Sequence, residues 1–496
     1  MRGILIAAIA MAVAWGPLHA QEGPAFEPPE QWREYFEAVL AAEQIEDGEA
    51  RCRAYPDLPG NRWPAGTAQA RCALLREPML TLDEVDALLD AEDGTLELDR
   101  RYAELLRAHY EDPGQREQIF VAYDIFDAEP RAGEVAARWL RQAPDSAFAN
   151  VARAQHLYNA GWKARGGAWA SETPPEQFER MHELFAESLP LFARALELQQ
   201  DLSVACVRLM GIGNATSVRE LEAIATQHCM SVDPDGYHFA VELVGGHKPK
   251  WGGSDEGLRY AVAYAQARVV RNPILGLLAA EAAVYRAAQE KDYGSVADEL
   301  AEAARMAPHA TNLRLAGRGQ ADRGDDWAAV AYYSQSFRFL PTEARTLYSR
   351  FVALDRIPGG AQWAIRDLRR AVALKPGEAS YNFWLARLLH NDGEVVAARP
   401  YYLAARSDAE FDHDALWFYC TSFIDVQDDL DALLECSETL AGAYPEFGTS
   451  WMVRALALVG ARDPDAPAAV ARFRELADSR DPRQEAMLEY LTSQGW

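Results

Sequence analysis

Five residues in the middle of the chain have side chains suited to holding a metal or assisting hydrolysis: Cys206, His228, Cys229, His238 and His247. Thiolates and neutral imidazoles are the usual ligands of zinc. Their spacing fits no zinc finger, however, and no His-Glu-x-x-His occurs in the chain. Thiols oxidised to a disulfide cannot ligate a metal, so the simpler reading is one cystine with surface or capping histidines. A second cluster, Asp412-His413-Asp414, contains an acid and a base but falls where a helix should begin. There the positive end of the helix dipole favours acidic residues, and capping is the expected role. No Gly-x-Ser-x-Gly, phosphate loop or dinucleotide fingerprint occurs, and Gly211-Ile212-Gly213-Asn214 lacks the third glycine and the preceding strand. No catalytic residue, metal or cofactor is therefore assigned. An envelope enzyme of hydrolase type, with its site near residues 227–256, is kept as the alternative reading.

The six cysteines fall into three local pairs: Cys52 with Cys72, Cys206 with Cys229, and Cys420 with Cys436. Sequence alone cannot choose among the possible connectivities. Local pairing is the expectation, because the chain also begins like an exported protein. Met1-Arg2 precedes an apolar run from Gly3 to Trp15, and Leu18 and Ala20 sit where a signal peptidase reads small residues. That run is too short to span a bilayer comfortably. The expected organisation is a signal peptide at 1–20, a disordered linker at 21–30, a helical N-terminal domain at 31–250 and a repeat domain at 251–496, in the periplasm or secreted. A net charge of −26 disfavours nucleic acid and anionic lipid as partners. No membrane insertion is expected after signal cleavage.

Stepping outward to the elements, the apolar positions repeat at helical spacing nearly throughout. Trp32, Tyr35, Phe36, Val39 and Leu40 form one stripe. Thr81 with Glu84 reads as a capping box. Helices are expected over 115–127, 132–142, 147–161 and 176–198, with a kink or break at Pro190 in the last. Ser254 reads as an N-cap following the tight Gly252-Gly253 turn. No run of alternating Val, Ile and Thr suggests a sheet. The fold class is all-α.

Prolines at 308, 341, 376 and 445 recur at 33, 35 and 69 residues, the last gap being about twice the period, with Ala409 at the vacant position. A period near 34 is that of helix–turn–helix solenoids. The second helix of each unit carries small-large-small triplets: Ala329, Tyr333 and Ser336; Ala364, Leu368 and Ala371; Ala397, Tyr401 and Ala404. This spacing resembles a tetratricopeptide repeat array over about residues 274–478. The third unit departs from it through the insertion Ile357-Pro358-Gly359-Gly360, and the fifth lacks the small residues. The resemblance implies an α–α superhelix, preceded here by the helical N-terminal domain. It also implies a concave groove lined by the first helix of each pair. Carried over by register, Arg314, Arg318 and Asn382 would face that groove and grip a peptide backbone or carboxylate. The other reading pairs the arginines with neighbours such as Asp322. Separately, Pro249-Lys250-Trp251-Gly252-Gly253-Ser254 resembles a motif of an uncharacterised bacterial family, over roughly residues 150–290, and implies no known activity. Trp251 reads either as a recognition aromatic or as a plug between helical layers. The functional expectation is a non-enzymatic exported scaffold that binds a protein or peptide partner. Its oligomeric state is left open.

Overall fold

The computed structural model describes residues 25–168 and 170–496. The signal segment at 1–20 and linker residues 21–24 lie outside the described residues. Every regular element among the described residues is a helix, α or 3₁₀. The local signals explain where these begin. Thr81 and Glu84 close a full capping box on helix Leu82–Leu89. The Ser254 hydroxyl accepts from the Gly257 amide at 3.0 Å and starts helix Asp255–Gln266. Gly324, at φ +83°, turns the chain after helix Ala310–Asp322.

Three expectations are corrected. The remainder of the linker is not a free tail: the Phe26 ring packs 5.3 Å from Trp327 and 5.6 Å from Trp363. One aromatic supplies the burial that the surrounding Pro and Glu residues lack, and helix Glu30–Ala42 follows. Of the kink or break expected at Pro190, the break does not occur: the helix runs Pro175–Leu198 with the proline inside. There, packing outweighs the one lost backbone bond. Over 115–127 only Gln118–Tyr123 is an α-helix, because Glu117 takes a left-handed φ of 69° just before it.

The chain divides into two compact units. One comprises 34–324 with 334–339; the other comprises residues up to Arg33, 325–333 and 340–496. In the first, Tyr102, Tyr123, Phe126 and Trp139 are fully buried, and the Tyr102 ring lies 4.8 Å from Tyr123 and 5.2 Å from Trp139. Helices Ala147–Arg165 and Pro175–Leu198 form the closest hairpin. A Cβ on Gly161 would stand 2.6 Å from the Phe185 ring, so only glycine permits that approach. Residues on both sides of position 250 share one apolar cluster, among them Phe239, Leu243, Leu258 and Ala261.

The second unit holds the legible repeats as successive hairpins: Ala344–Leu354 with Ala361–Leu374, Ala379–Asn391 with Val395–Ala405, Ala409–Val426 with Leu430–Ala443, and Gly448–Ala461 with Ala466–Leu476. This part is an array of helical hairpins, as the tetratricopeptide resemblance implies. Ala364, Leu368 and Ala371 are buried as the triplet requires. In the next hairpin the triplet lies one residue later than the sequence reading has it. Ala398, Tyr402 and Ala405 are buried, while Ala397 and Ala404 are exposed. Counting from the buried triplet, the position that lacks its proline is Glu410, not Ala409. The hairpin Ala409–Val426 with Leu430–Ala443 inverts the triplet, burying Leu433, Ser437 and Leu440.

All three local cysteine pairs are joined, with Cα–Cα distances of 5.4 Å for Cys52–Cys72 and 5.7 Å for both Cys206–Cys229 and Cys420–Cys436. Each ties one helix to the helix that follows it.

Candidate functional site

The five candidate metal ligands do not converge. Cys206 and Cys229 are bonded to each other. His228 Nε2 meets the Gln200 carbonyl at 2.8 Å, and His247 Nδ1 meets the Leu243 carbonyl at 2.8 Å. Only His238 enters a larger cluster, one that sequence reasoning missed. His109 at the end of helix Gly94–Glu111, Glu117 in the following turn and Asp233 after helix Arg219–Val232 are all buried, and they offer ligand atoms within 4.8 Å of one another.

The hydrogen bonds within this cluster fix its protonation. The Glu117 amide donates to His109 Nδ1 at 3.0 Å, so Nδ1 carries a lone pair and Nε2–H donates to Asp233 Oδ2 at 2.9 Å. Glu117 Oε1 accepts from the Tyr237 amide at 2.7 Å and from Asn272 Nδ2 at 3.2 Å, while Oε2 meets His238 Nδ1 at 2.8 Å. The His238 ring stacks on Phe120 at 3.9 Å. Burial pushes the Glu117 pKa up, but the His238 hydrogen bond and charge and the Tyr237 amide outweigh it and hold the carboxyl at about 2. A cation would have to displace bonds already made by His109 Nδ1 and by both Glu117 oxygens. Those bonds instead clamp residues 109–117 to 233–238 and 272. The one signal in the sequence was His238 itself, since the partners stand 121 and 155 residues apart.

A second arrangement lies on the first helices of the repeat hairpins. Tyr348 and Tyr381, one 33-residue step apart, place their rings 5.1 Å from each other; Phe351 and Trp384, the same step apart, lie at 5.8 Å. The row continues through Phe383 to Phe411 at 5.1 Å and Phe418 at 6.3 Å. Tyr348, Trp384, Phe411 and Phe418 are half-buried, whereas Phe351 and Phe383 are buried beneath them. The Arg387 guanidinium sits 3.9 Å from the Phe418 ring centre, and its Nε is buried without a hydrogen-bond partner. Burial holds the Arg387 pKa below its ordinary value. The proline period contained the signal for this row, because the same step that relates Pro341 and Pro376 relates these aromatics to within two residues.

The residues singled out from sequence are divided between the units. Trp251, Arg314 and Arg318 belong to the first and Asn382 to the second. Arg318 is exposed, and its Nε donates to both Asp322 oxygens at 2.8 and 2.9 Å, as the alternative reading has it. Arg314 is half-buried one turn earlier on the same helix. Asn382 is buried and donates to the carbonyls of Pro376 at 2.8 Å and Glu378 at 2.9 Å. Asn150 does the same to Pro144 and Ser146, and Trp451 Nε1 donates to the Pro445 carbonyl at 2.9 Å. The position six residues past a closing proline is thus a joint within the hairpin stack. Asp412 stands in the first turn of its helix, accepting from Arg406 Nε and Tyr444 Oη at 2.7 Å each. Trp251 is half-buried and lines a cleft.

No family model and no curated protein matches the chain. Solved structures match the chain at low similarity. A MamA fragment from Desulfovibrio magneticus RS-1 is 19% identical over 34% of this chain and 92% of its own, with a TM-score of 0.30. YrrB, a TPR protein with an unusual peptide-binding site, is 13% identical over 40% of this chain and 99% of its own, at a TM-score of 0.35. The Cut9–Hcn1 hetero-tetramer of the APC/C is 12% identical over 93% of both chains, at a TM-score of 0.30.

Proposed function

We propose that the protein is an exported, non-enzymatic scaffold that grips a protein or peptide partner along the groove-facing first helices of its C-terminal hairpins. The observation that carries this reading is the aromatic row Tyr348–Tyr381–Trp384–Phe411–Phe418 with Arg387 set against it. Tyr381 is buried, and the half-buried Tyr348, Trp384, Phe411 and Phe418, held by rigid helices, lose little conformational freedom on binding; Trp, Tyr and Arg are the residues that dominate protein interfaces. The first helices repeat the row at one step per hairpin, which suits an extended partner segment. A signal-type N-terminus and three cystines support export. The test is crosslinking in intact cells, followed by capture with Trp384→Ala/Arg387→Ala. A captured partner should fall by tenfold or more, about 1.4 kcal/mol, while Arg314→Ala/Arg318→Ala leaves capture near the parent level. Equal capture by the Trp384/Arg387 variant, with its helix content unchanged by circular dichroism, would remove the assignment.

A further inference from the structure

A cleft of about 340 Å³ opens in the first unit where four segments meet: the end of helix Ala147–Arg165, the start of Pro175–Leu198, the end of Ser203–Ala215, and the turn Pro249–Trp251. Trp162, Phe178, Met181 and Trp251 give it apolar walls, and Arg165 and Lys250 stand on its lining. No carboxylate belongs to the described lining residues. Neither cation has an ion-pair partner among the described residues, although the chain carries a net charge of −26. The neighbouring Lys248, by contrast, is paired with Glu281 at 2.8 Å. Arg165 is held in place: its Nη1 donates to the carbonyls of Gly166 at 3.1 Å and Ala168 at 2.6 Å, and its guanidinium lies 5.7 Å from the Phe178 ring centre. Five donors on a guanidinium leave capacity beyond those two bonds.

The turn carrying Lys250 and Trp251 is fixed as well. The Lys250 amide donates to Tyr285 Oη at 3.0 Å, and Arg219 Nη2 donates to the Trp251 carbonyl at 3.0 Å. Gly252, at φ +83°, brings its Cα so near Arg219 that a Cβ would stand 2.7 Å from Nη2. The backbone of Lys250 and Trp251 is therefore held in a set place at the rim of the cleft. Burial and the Lys248 charge lower the Lys250 pKa, against an opposing pull from Glu281, whose carboxylate is paired with Lys248.

We propose that this cleft binds a small aromatic carboxylate, its ring between Trp162, Phe178 and Trp251 and its carboxylate on Arg165 and Lys250. Flat apolar walls suit an aromatic body. Two unpaired cations at an acid-free opening suit one anionic group, and Arg offers bidentate geometry for it. This site is separate from the aromatic row of the C-terminal hairpins, so either assignment can fail alone.

The test is calorimetric titration of the full mature chain with 1-naphthylacetate, its neutral amide 1-naphthylacetamide, and a short peptide ending in tryptophan. The acid should bind at one saturable site, and the amide should bind at least tenfold more weakly, about 1.4 kcal/mol. Arg165→Gln/Lys250→Gln should cost the acid at least tenfold and leave the amide unchanged, whereas Trp251→Ala should weaken both. Circular dichroism of each variant confirms that it is folded. Four results overturn the proposal: equal binding of acid and amide, no saturable binding of either by folded protein, parent-level acid binding by the double variant, or saturable binding of the peptide alone.

Discussion

Glu117 combines three features that rarely coincide: burial, a left-handed backbone and a carboxylate that accepts from three donors on two other segments. A left-handed non-glycine residue is strained and persists only where its surroundings fix it. The His109, His238, Tyr237 and Asn272 contacts do so here, with Asp233 and Arg116 forming the next layer at 3.7 Å from each other. Because its folded pKa is held at about 2, below the ordinary 4.5, the carboxylate contributes stability that is fully present above pH 4.5 and is lost as the pH falls towards 2. That contribution is on the order of 3 kcal/mol. Glu117→Gln should lower stability at pH 7 by roughly that amount and flatten the dependence between pH 4.5 and 2 relative to the parent. Urea midpoints at pH 7, 4 and 2.5 measure both effects. If parent and variant have parallel pH profiles, the cluster does not contribute to stability through the ionised carboxylate.

The shared element is the joint between a closing proline and the helix after it. Asn150, Asn382 and Trp451 each return a side-chain N–H to the carbonyl of the proline six residues before. Without that donor, the carbonyl would sit unsatisfied at a helix entry. Asn150→Ala and Asn382→Ala should each cost about 1 kcal/mol by urea denaturation, and Asn382→Ala should leave partner capture unaltered. Loss of capture without loss of stability would instead return Asn382 to the binding face. This joint also marks what the sequence could disclose. Proline spacing, capping at Thr81 and Ser254, and the local cysteine pairs are short-range signals and are legible. The triplet of helix Val395–Ala405 lies one residue later than the proline count gives because no proline closes that hairpin and Ala404 and Ala405 are chemically alike. The aromatic row repeats with the proline step, yet separating its half-buried members from the buried ones needed the packed helices. The clamp around Glu117 was illegible, since His109 and Asp233 meet across 124 residues of chain. Register assigned Asn382 to the groove; its side-chain amide nitrogen donates to the Pro376 and Glu378 carbonyls, a local bond that the proline six residues before it could have signalled.

At the scale of the whole chain, each compact unit carries its own apolar cluster: Tyr102 and Trp139 belong to the core spanning residues 80–278, and Trp417 and Phe473 to the core of the last hairpins. The cystines are divided in the same way, two closing separations of 20 and 23 residues in the first unit and one closing 16 in the second. A bridge over so short a loop restricts only the unfolded chain around it, contributing about 3 kcal/mol in the chain-entropy account. Removing Cys420–Cys436 should therefore lower the stability of residues 340–496 and leave that of 34–324 within about 0.5 kcal/mol, as for sites without shared partners. The measurement is hydrogen exchange resolved by peptide across a urea series, comparing the parent with Cys420→Ala/Cys436→Ala. The small substitution at Cys436 removes packing beside Leu433 and Leu440 as well as the bridge, so reduction of the unmutated chain serves as the second arm. Under reductant both units should lose protection, the first at two loops and the second at one. If the double variant lowered protection equally across both units, they would melt as one cooperative body, and the hairpins near the aromatic row could not loosen while the clamp around Glu117 held.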